Sequence, residues 1–234
     1  MSKGDIMNSD LLTIYIDYKS PYAYLAIEPT CQLQKDFEID IEWLPYTLNI
    51  PDFLGSAKVD EQGRVLEEER TAHQWRRVRY SYMDARRYAT LRGLTIRGPQ
   101  KIWDSSLASI GLLYAKSQGK VEAYNGLVYE RFWKREIDIE SKAILTSILQ
   151  EAEVNTEKFA GFLVGKGRSL HDAIQTEAEK MGVFGVPTYL LDGELYWGRE
   201  HLPLIRTRLN EKGLMRIKPP SAPSRIESTV DATT

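Results

Sequence analysis

Cysteine is almost missing from this chain: Cys31 is the single one in 234 residues. One thiol excludes a disulfide framework, a multi-cysteine metal site and any C-x-x-C redox pair. Histidine is also scarce, and His73, His171 and His201 lie too far apart for a local zinc motif. Charge of one sign is not in excess: 31 basic and 33 acidic residues give a net −2. Such a balance points neither to nucleic acid nor to an anionic membrane surface. No stretch approaches the ~18 consecutive apolar residues of a membrane span. The opening MSKGDIMNSD lacks an apolar core with a cleavage site, so it does not read as a secretory signal. With 42% hydrophobic and 27% charged residues the composition is that of a soluble globular chain, and the lone cysteine fits a reducing cytoplasm. The length suits one large domain, or one domain carrying an insertion.

What is present has a clear order. Leu11–Tyr18, LLTIYIDY, is β-branched and aromatic and reads as a buried strand. It stops at Lys19-Ser20-Pro21, where a serine N-cap followed by proline at the first helical position opens a helix. Pro29 falls inside that helix and predicts a kink or a local loss of hydrogen bonding. Ile39–Leu44 alternates with period two and reads as a second strand, completing a βαβ unit with parallel strands. Pro45 to Gly63 reads as a loop. From about Leu66 to Leu91 the pattern is helical, and further helical blocks follow at Ser105–Ser117, Val121–Trp133, Ser141–Glu151 and Thr156–Leu163. Asn155 and Ser169 stand as N-caps, and no strand pattern appears between Pro51 and Met181. Strand character returns at Val186–Leu191, turns at Asp192-Gly193, and runs back through Glu194–Trp197. A last helix spans about Glu200 to Lys212.

The expected fold is α/β: a thioredoxin-like mixed sheet, βαβ plus ββα, with a large all-helical insertion. Residues 10–50 and 165–213 would form the thioredoxin-like part and 51–164 the insertion. The final segment, 214–234, rich in proline, serine and threonine, reads as a disordered tail.

Three short motifs could carry chemistry. Ser20-Pro21-Tyr22 sits at a strand-to-helix junction, where unpaired amides and the positive dipole end favour an anion. Taken alone, Ser20 is also an ordinary helix cap, and no G-x-S-x-G elbow surrounds it. Val186-Pro187 reads either as a proline opening a strand or as a cis bond exposing backbone to a peptide-like ligand. Arg199-Glu200 reads either as helix-end capping or as an acid and base holding the amine and carboxylate of an amino-acid-like ligand. Arg70, Arg76, Arg77, Arg79, Arg86, Arg87 and Arg92 crowd one helical region; such a run is usually a solvated face, and it is also where a substrate carboxylate would be sought. Cys31 reads as a small buried apolar residue.

Together Ser20-Pro21-Tyr22, Phe184–Thr188 (FGVPT) and Asp192–Leu202 (DGELYWGREHL) resemble the 2-hydroxychromene-2-carboxylate isomerase and kappa-class glutathione transferase family, within the broader DsbA-like thioredoxin fold. The resemblance spans roughly Leu11 to Asn210. Where DsbA relatives open the first helix with C-P-x-C, this chain has Ser20-Pro21-Tyr22-Ala23, so dithiol–disulfide exchange has no sulfur to work with. The resemblance implies that glutathione supplies the thiol, with Ser20 hydrogen-bonding its thiolate and Tyr22 sharing the site. It implies a cis proline after Val186, whose backbone pairs with the cysteinyl part of glutathione. It places Arg199 and Glu200 at the γ-glutamyl end, where arginine departs from the family's small polar residue. Asn49 and Lys58 are candidates in the loop after the second strand, where relatives carry a further ligand contact, but neither matches by motif.

The implied activity is a glutathione-dependent isomerisation of an aromatic or conjugated carboxylate, as in aromatic compound catabolism. The alternatives are a kappa-type transferase or peroxidase, and a non-catalytic thioredoxin-like binding module. The expected partner is an anionic aromatic small molecule, with no nucleic acid and no membrane; a homodimer is implied by the family alone.

Overall fold

In the computed structural model, which describes residues 11–216, the apolar run Leu11–Ile16 forms strand β1 at the centre of a four-stranded sheet. On one side it pairs in parallel with β2 (Asp40–Pro45), from Leu11 opposite Asp40 to Ile16 opposite Pro45. On the other it pairs antiparallel with β5 (Thr188–Leu191), which continues into β6 (Glu194–Trp197). The order β2-β1-β5-β6 is the βαβ plus ββα arrangement expected from the sequence. A central strand has neighbours on both edges and layers on both faces, which is why β1 is buried from Leu12 onward. The β5–β6 turn uses Asp192 and Gly193, both at positive φ, as a two-residue hairpin of primed type requires.

Helix α1 (Pro21–Asp36) begins where Ser20 caps it and packs Ala23, Leu25, Ala26 and Leu33 inward. Pro29 does not break it. Lacking an amide proton, Pro29 leaves the Leu25 carbonyl without its helical donor, and the Arg92 guanidinium donates to that oxygen instead at 2.6 Å. The local loss of a hydrogen bond occurs, and a side chain from 67 residues away makes it good.

The middle of the chain departs from expectation in its first part. The stretch read as a loop holds a short helix, α2 (Ile50–Leu54), and strand β3 (Ala57–Val59), which pairs antiparallel with β4 (Val65–Glu68). The expectation of no strand between Pro51 and Met181 is thus overturned. Leu66, read as the start of a helix, lies in β4, and α3 (Ala72–Leu91) begins later, behind a Thr71–Gln74 capping box. This ribbon is solvated on both faces along β4, so its strands carry no period-two apolar signal.

Helices α4 (Ser106–Lys116), α5 (Val121–Trp133), α6 (Lys142–Glu151) and α7 (Phe159–Val164) follow at the expected places. Helix α4 is buried along most of its length, against α5, α6, α7 and α8 (Lys166–Lys180) and against β2. Ser169 is not an N-cap; it lies inside α8, which opens at Gly165. Asn155 caps the turn ahead of α7, accepting from the Glu157 amide at 2.9 Å. After β6 come a one-turn 3-10 helix (Arg199–His201) and α9 (Leu202–Glu211). Leu214 and Met215 turn back onto α1's end, where the Glu38 amide donates to the Leu214 carbonyl at 2.7 Å and Met215 bridges Phe37. The rest of the segment read as a disordered tail lies outside the described residues. No helix among the described residues is long and apolar enough to cross a membrane.

Candidate active site

The C-terminal end of β1 delivers Asp17, Tyr18, Lys19 and Ser20 in succession to the start of α1. Ser20 adopts extended backbone, and its Oγ accepts from the Ala23 amide at 3.1 Å while the Tyr24 amide donates to its carbonyl. That is ordinary capping. The second contact is not: the same hydroxyl donates to the carbonyl of Val186 at 3.3 Å, across 166 residues of sequence. The Val186–Pro187 bond is cis. Sheet pairing of β1 with β5 brings this loop over the start of α1, so Ser20, 5% exposed, meets backbone of the loop before β5.

Tyr22 is the second residue of α1, and its hydroxyl donates to the Asp84 carboxylate of α3 at 3.1 Å, with the Ser81 carbonyl at 3.4 Å. Burial, reinforced by the Asp84 charge, pushes its pKa up to about 12, so the phenol holds its proton throughout the physiological range. Asp84 also faces Arg87 at 3.7 Å.

Arg199 and Glu200 follow the cis-proline loop in space. The Gly198 amide donates to the Pro187 carbonyl at 2.8 Å, which ties the start of the 3-10 helix to the loop. The Arg199 guanidinium carbon stands 3.8 Å from the centroid of the Tyr88 ring on α3, a cation–π stack. Glu200 is exposed and folds its carboxylate against Gly198, whose φ of 107° and missing Cβ make room for it.

Five residues predicted from the sequence therefore gather around two loops and one helix end. The other candidates do not join them. Lys58 is an exposed residue of β3 paired with Glu67 at 3.6 Å, and Asn49 donates to Asp52 at 2.6 Å at the start of α2. Cys31 is half-buried on α1, and burial together with a hydrogen bond to Glu122 pushes its thiol up to about 12, where no thiolate forms. Of the arginines, Arg70, Arg86 and Arg92 donate to backbone carbonyls, Arg87 faces Asp84, and Arg76, Arg77 and Arg79 are exposed.

Two features of the site went unread in the sequence. The first is the Asp17–Lys19 pair. Asp17 is fully buried, accepts the amides of Lys19 and Leu48 at 3.0 and 2.8 Å, and lies 3.5 Å from the Lys19 ammonium. Lys19 in turn donates to the Leu48 carbonyl at 2.7 Å. The pair fastens the loop after β2 to the residue next to Ser20. The second is an aromatic pair flanking the cis-proline loop: Phe184 and Trp197 are 58% and 53% exposed, with ring centroids 4.8 Å apart. Gly185 permits this, since a Cβ there would meet the Trp197 indole nitrogen at 2.6 Å.

A βαβ plus ββα sheet, a cis proline before β5 and a helix start opposite it define a thioredoxin-like protein, here with no sulfur at the helix start. Residues 11–210 match the DSBA-like thioredoxin domain, and the chain belongs to that family. It is 27% identical over 203 residues to a 2-hydroxychromene-2-carboxylate isomerase of Pseudomonas putida, covering 85% of this chain and 94% of the relative. In structure it is similar to 2-hydroxychromene-2-carboxylate isomerase (TM-score 0.67, 21% identity, 87% of this chain and 96% of that one). It is similar also to a probable DsbA oxidoreductase of Streptomyces coelicolor (TM-score 0.68, 16% identity, 91% of this chain and 94% of that one).

Proposed function

We propose that this protein is a glutathione-dependent isomerase of the 2-hydroxychromene-2-carboxylate isomerase type, acting on an aromatic or conjugated carboxylate. The observation that carries this reading is the Ser20 hydroxyl, held at a helix N-cap and hydrogen-bonded to the Val186 carbonyl at 3.3 Å, in a tetrad that ends in Ala23 instead of a second thiol. The curated relatives support the isomerase assignment by their names.

The residues fit glutathione. Val186 offers backbone to a peptide-like ligand, Ser20 a hydroxyl to a thiol, and Arg199 with Glu200 opposite charges to a zwitterionic γ-glutamyl end. When bound, glutathione would supply a thiolate able to add reversibly to an electron-poor carbon and leave again unconsumed. The protein's part is to favour that charge. A free thiol of pKa ~8.5 is only a few per cent ionised at neutral pH, and lowering it by ~2 units takes ~2.7 kcal/mol. A hydrogen bond from Ser20 to a charged acceptor contributes roughly 1.5–3 kcal/mol, and the start of α1 adds ~0.3–1 kcal/mol. The Ser20 proton needs only to turn about the Cβ–Oγ bond, leaving a 3.3 Å contact to a neutral carbonyl for a charged acceptor. The Ala23 amide keeps its bond to the oxygen meanwhile and polarises the hydroxyl toward donation. Phe184 and Trp197, more than half exposed beside the loop, offer an aromatic face suited to a planar second substrate.

The test is incubation with a 2-hydroxychromene-2-carboxylate and glutathione, following product and free thiol together. Isomerised product with the thiol count unchanged supports the reading. Thiol consumed in step with product would replace it with a transferase or peroxidase, and glutathione bound without any turnover would leave a binding module.

A further inference from the structure

Asp84 and Tyr88 on one face of α3 and Arg92 at its C-cap, four apart in sequence, reach the thioredoxin-like part: Asp84 accepts from Tyr22, Tyr88 lies under Arg199, and Arg92 donates to the Leu25 carbonyl. The outer two contacts are hydrogen bonds that complete themselves. The middle one is different. The half-buried Arg199 guanidinium lies over the Tyr88 ring, yet among the described residues it donates no hydrogen bond and forms no ion pair. Arg86 and Arg92, also near α3, both spend donors on backbone carbonyls. Stacking occupies the face of a guanidinium and leaves its edge of N–H donors free, in the flat fork that matches a carboxylate. Beside it Glu200, exposed, also has no ion pair among the described residues. An unpaired cation and an unpaired anion on consecutive residues match the carboxylate and ammonium carried on one carbon of an amino acid.

We propose that Tyr88 is a positioning residue that holds Arg199 ready for the α-carboxylate of a γ-glutamyl ligand, so that helix α3 sets part of the affinity for that ligand. The proposal rests on the glutathione reading above. Arginine has many rotamers to lose on binding, and stacking settles most of them in advance, while the Arg92 and Tyr22 contacts on either side keep α3 in place.

The test is calorimetric titration with glutathione and with cysteinylglycine, which lacks the γ-glutamyl group. The proteins are the native chain, Tyr88→Phe, Tyr88→Leu, Arg199→Gln and the Tyr88→Leu/Arg199→Gln double variant. Tyr88→Leu is expected to weaken glutathione binding about threefold to tenfold, Tyr88→Phe to bind like the native chain, and cysteinylglycine to be unaffected. In the Arg199→Gln background, Tyr88→Leu should have no further effect. Equal weakening of both ligands, an undiminished effect without Arg199, or no effect on glutathione would overturn the proposal. Failure of the native chain to bind glutathione would instead remove the reading on which it rests, and the proposal with it.

Discussion

The Arg92 guanidinium donates at 2.6 Å to the Leu25 carbonyl, the one acceptor in α1 that Pro29 strips of its helical partner. A helix carrying an internal proline is thereby kept continuous from Pro21 to Asp36, and the end of α3 is tied to α1, with Glu28 as a second acceptor at 3.0 Å. Arg92→Leu should destabilise the protein by about 1–3 kcal/mol, because a buried carbonyl is left without a donor. Pro29→Ala restores an amide to that carbonyl. In that background the cost of Arg92→Leu should fall sharply, and urea denaturation of the four proteins reads the difference. Equal costs in both backgrounds would show that Arg92 acts only through Glu28.

Tyrosine sets the alkaline limit. Burial first, with the Asp84 charge behind it, pushes Tyr22 to about 12; burial does the same for Tyr82, and Tyr18, Tyr124, Tyr129 and Tyr189 are raised further. Each keeps its proton in the folded chain at a pH where the unfolded chain has lost it. Their contribution is therefore complete below about pH 10 and is lost as pH rises toward about 12. Stability measured by denaturant should be flat in this respect to pH 9–10 and then fall steeply, with phenolate absorbance appearing together with unfolding. Ionisation of most of the 13 tyrosines before any loss of structure would contradict this.

Asp17 and Lys19 brace the site from beneath. Asp17→Ala leaves the Lys19 ammonium buried without its carboxylate and removes the acceptor of the Leu48 amide. A loss of about 3–5 kcal/mol is expected. Lys19→Met should cost less, since Asp17 retains two amide donors. Denaturant midpoints order the two variants, and the reverse order would contradict the arrangement.

The exposed Trp197 has little to do for the fold and much to offer an aromatic ring. Trp197→Ala should raise KM for the proposed aromatic carboxylate about threefold to tenfold, with stability changed little. Glutathione affinity should stay as it is. Steady-state kinetics at saturating glutathione checks the first, and a shift in glutathione affinity alone would reassign Trp197 to that ligand.

Much of the frame was readable. LLTIYIDY, the Ser20-Pro21 start and the Asp192-Gly193 turn are local patterns, fixed by residues within a few positions of one another, and each element appears where its pattern lies. The β3–β4 ribbon was not readable, because the residues of VLEE are all exposed and carry no alternation of buried and solvated faces. Within the site, Ser20, Tyr22 and Val186 stand in recognisable motifs, whereas their partners do not. Asp84, Tyr88 and Arg92 look like one more charged, solvated helix face; only the packing of α3 beside α1 turns that face toward Tyr22, Arg199 and Leu25. Asp17 sits at the end of an apolar run with its loop partner 31 residues away. Such pairings are long-range, and composition carries no trace of them.

The proposed role of Ser20, holding a glutathione thiolate, is read by a pH titration of glutathione's thiolate ultraviolet absorbance on the native chain and on Ser20→Ala. Saturable binding is expected on the native protein, with the thiol pKa lowered by about 2 from ~8.5. On Ser20→Ala a return most of the way to the free value is expected while glutathione still binds. An unshifted thiol on the native chain, or the same shift on both proteins, would contradict that role.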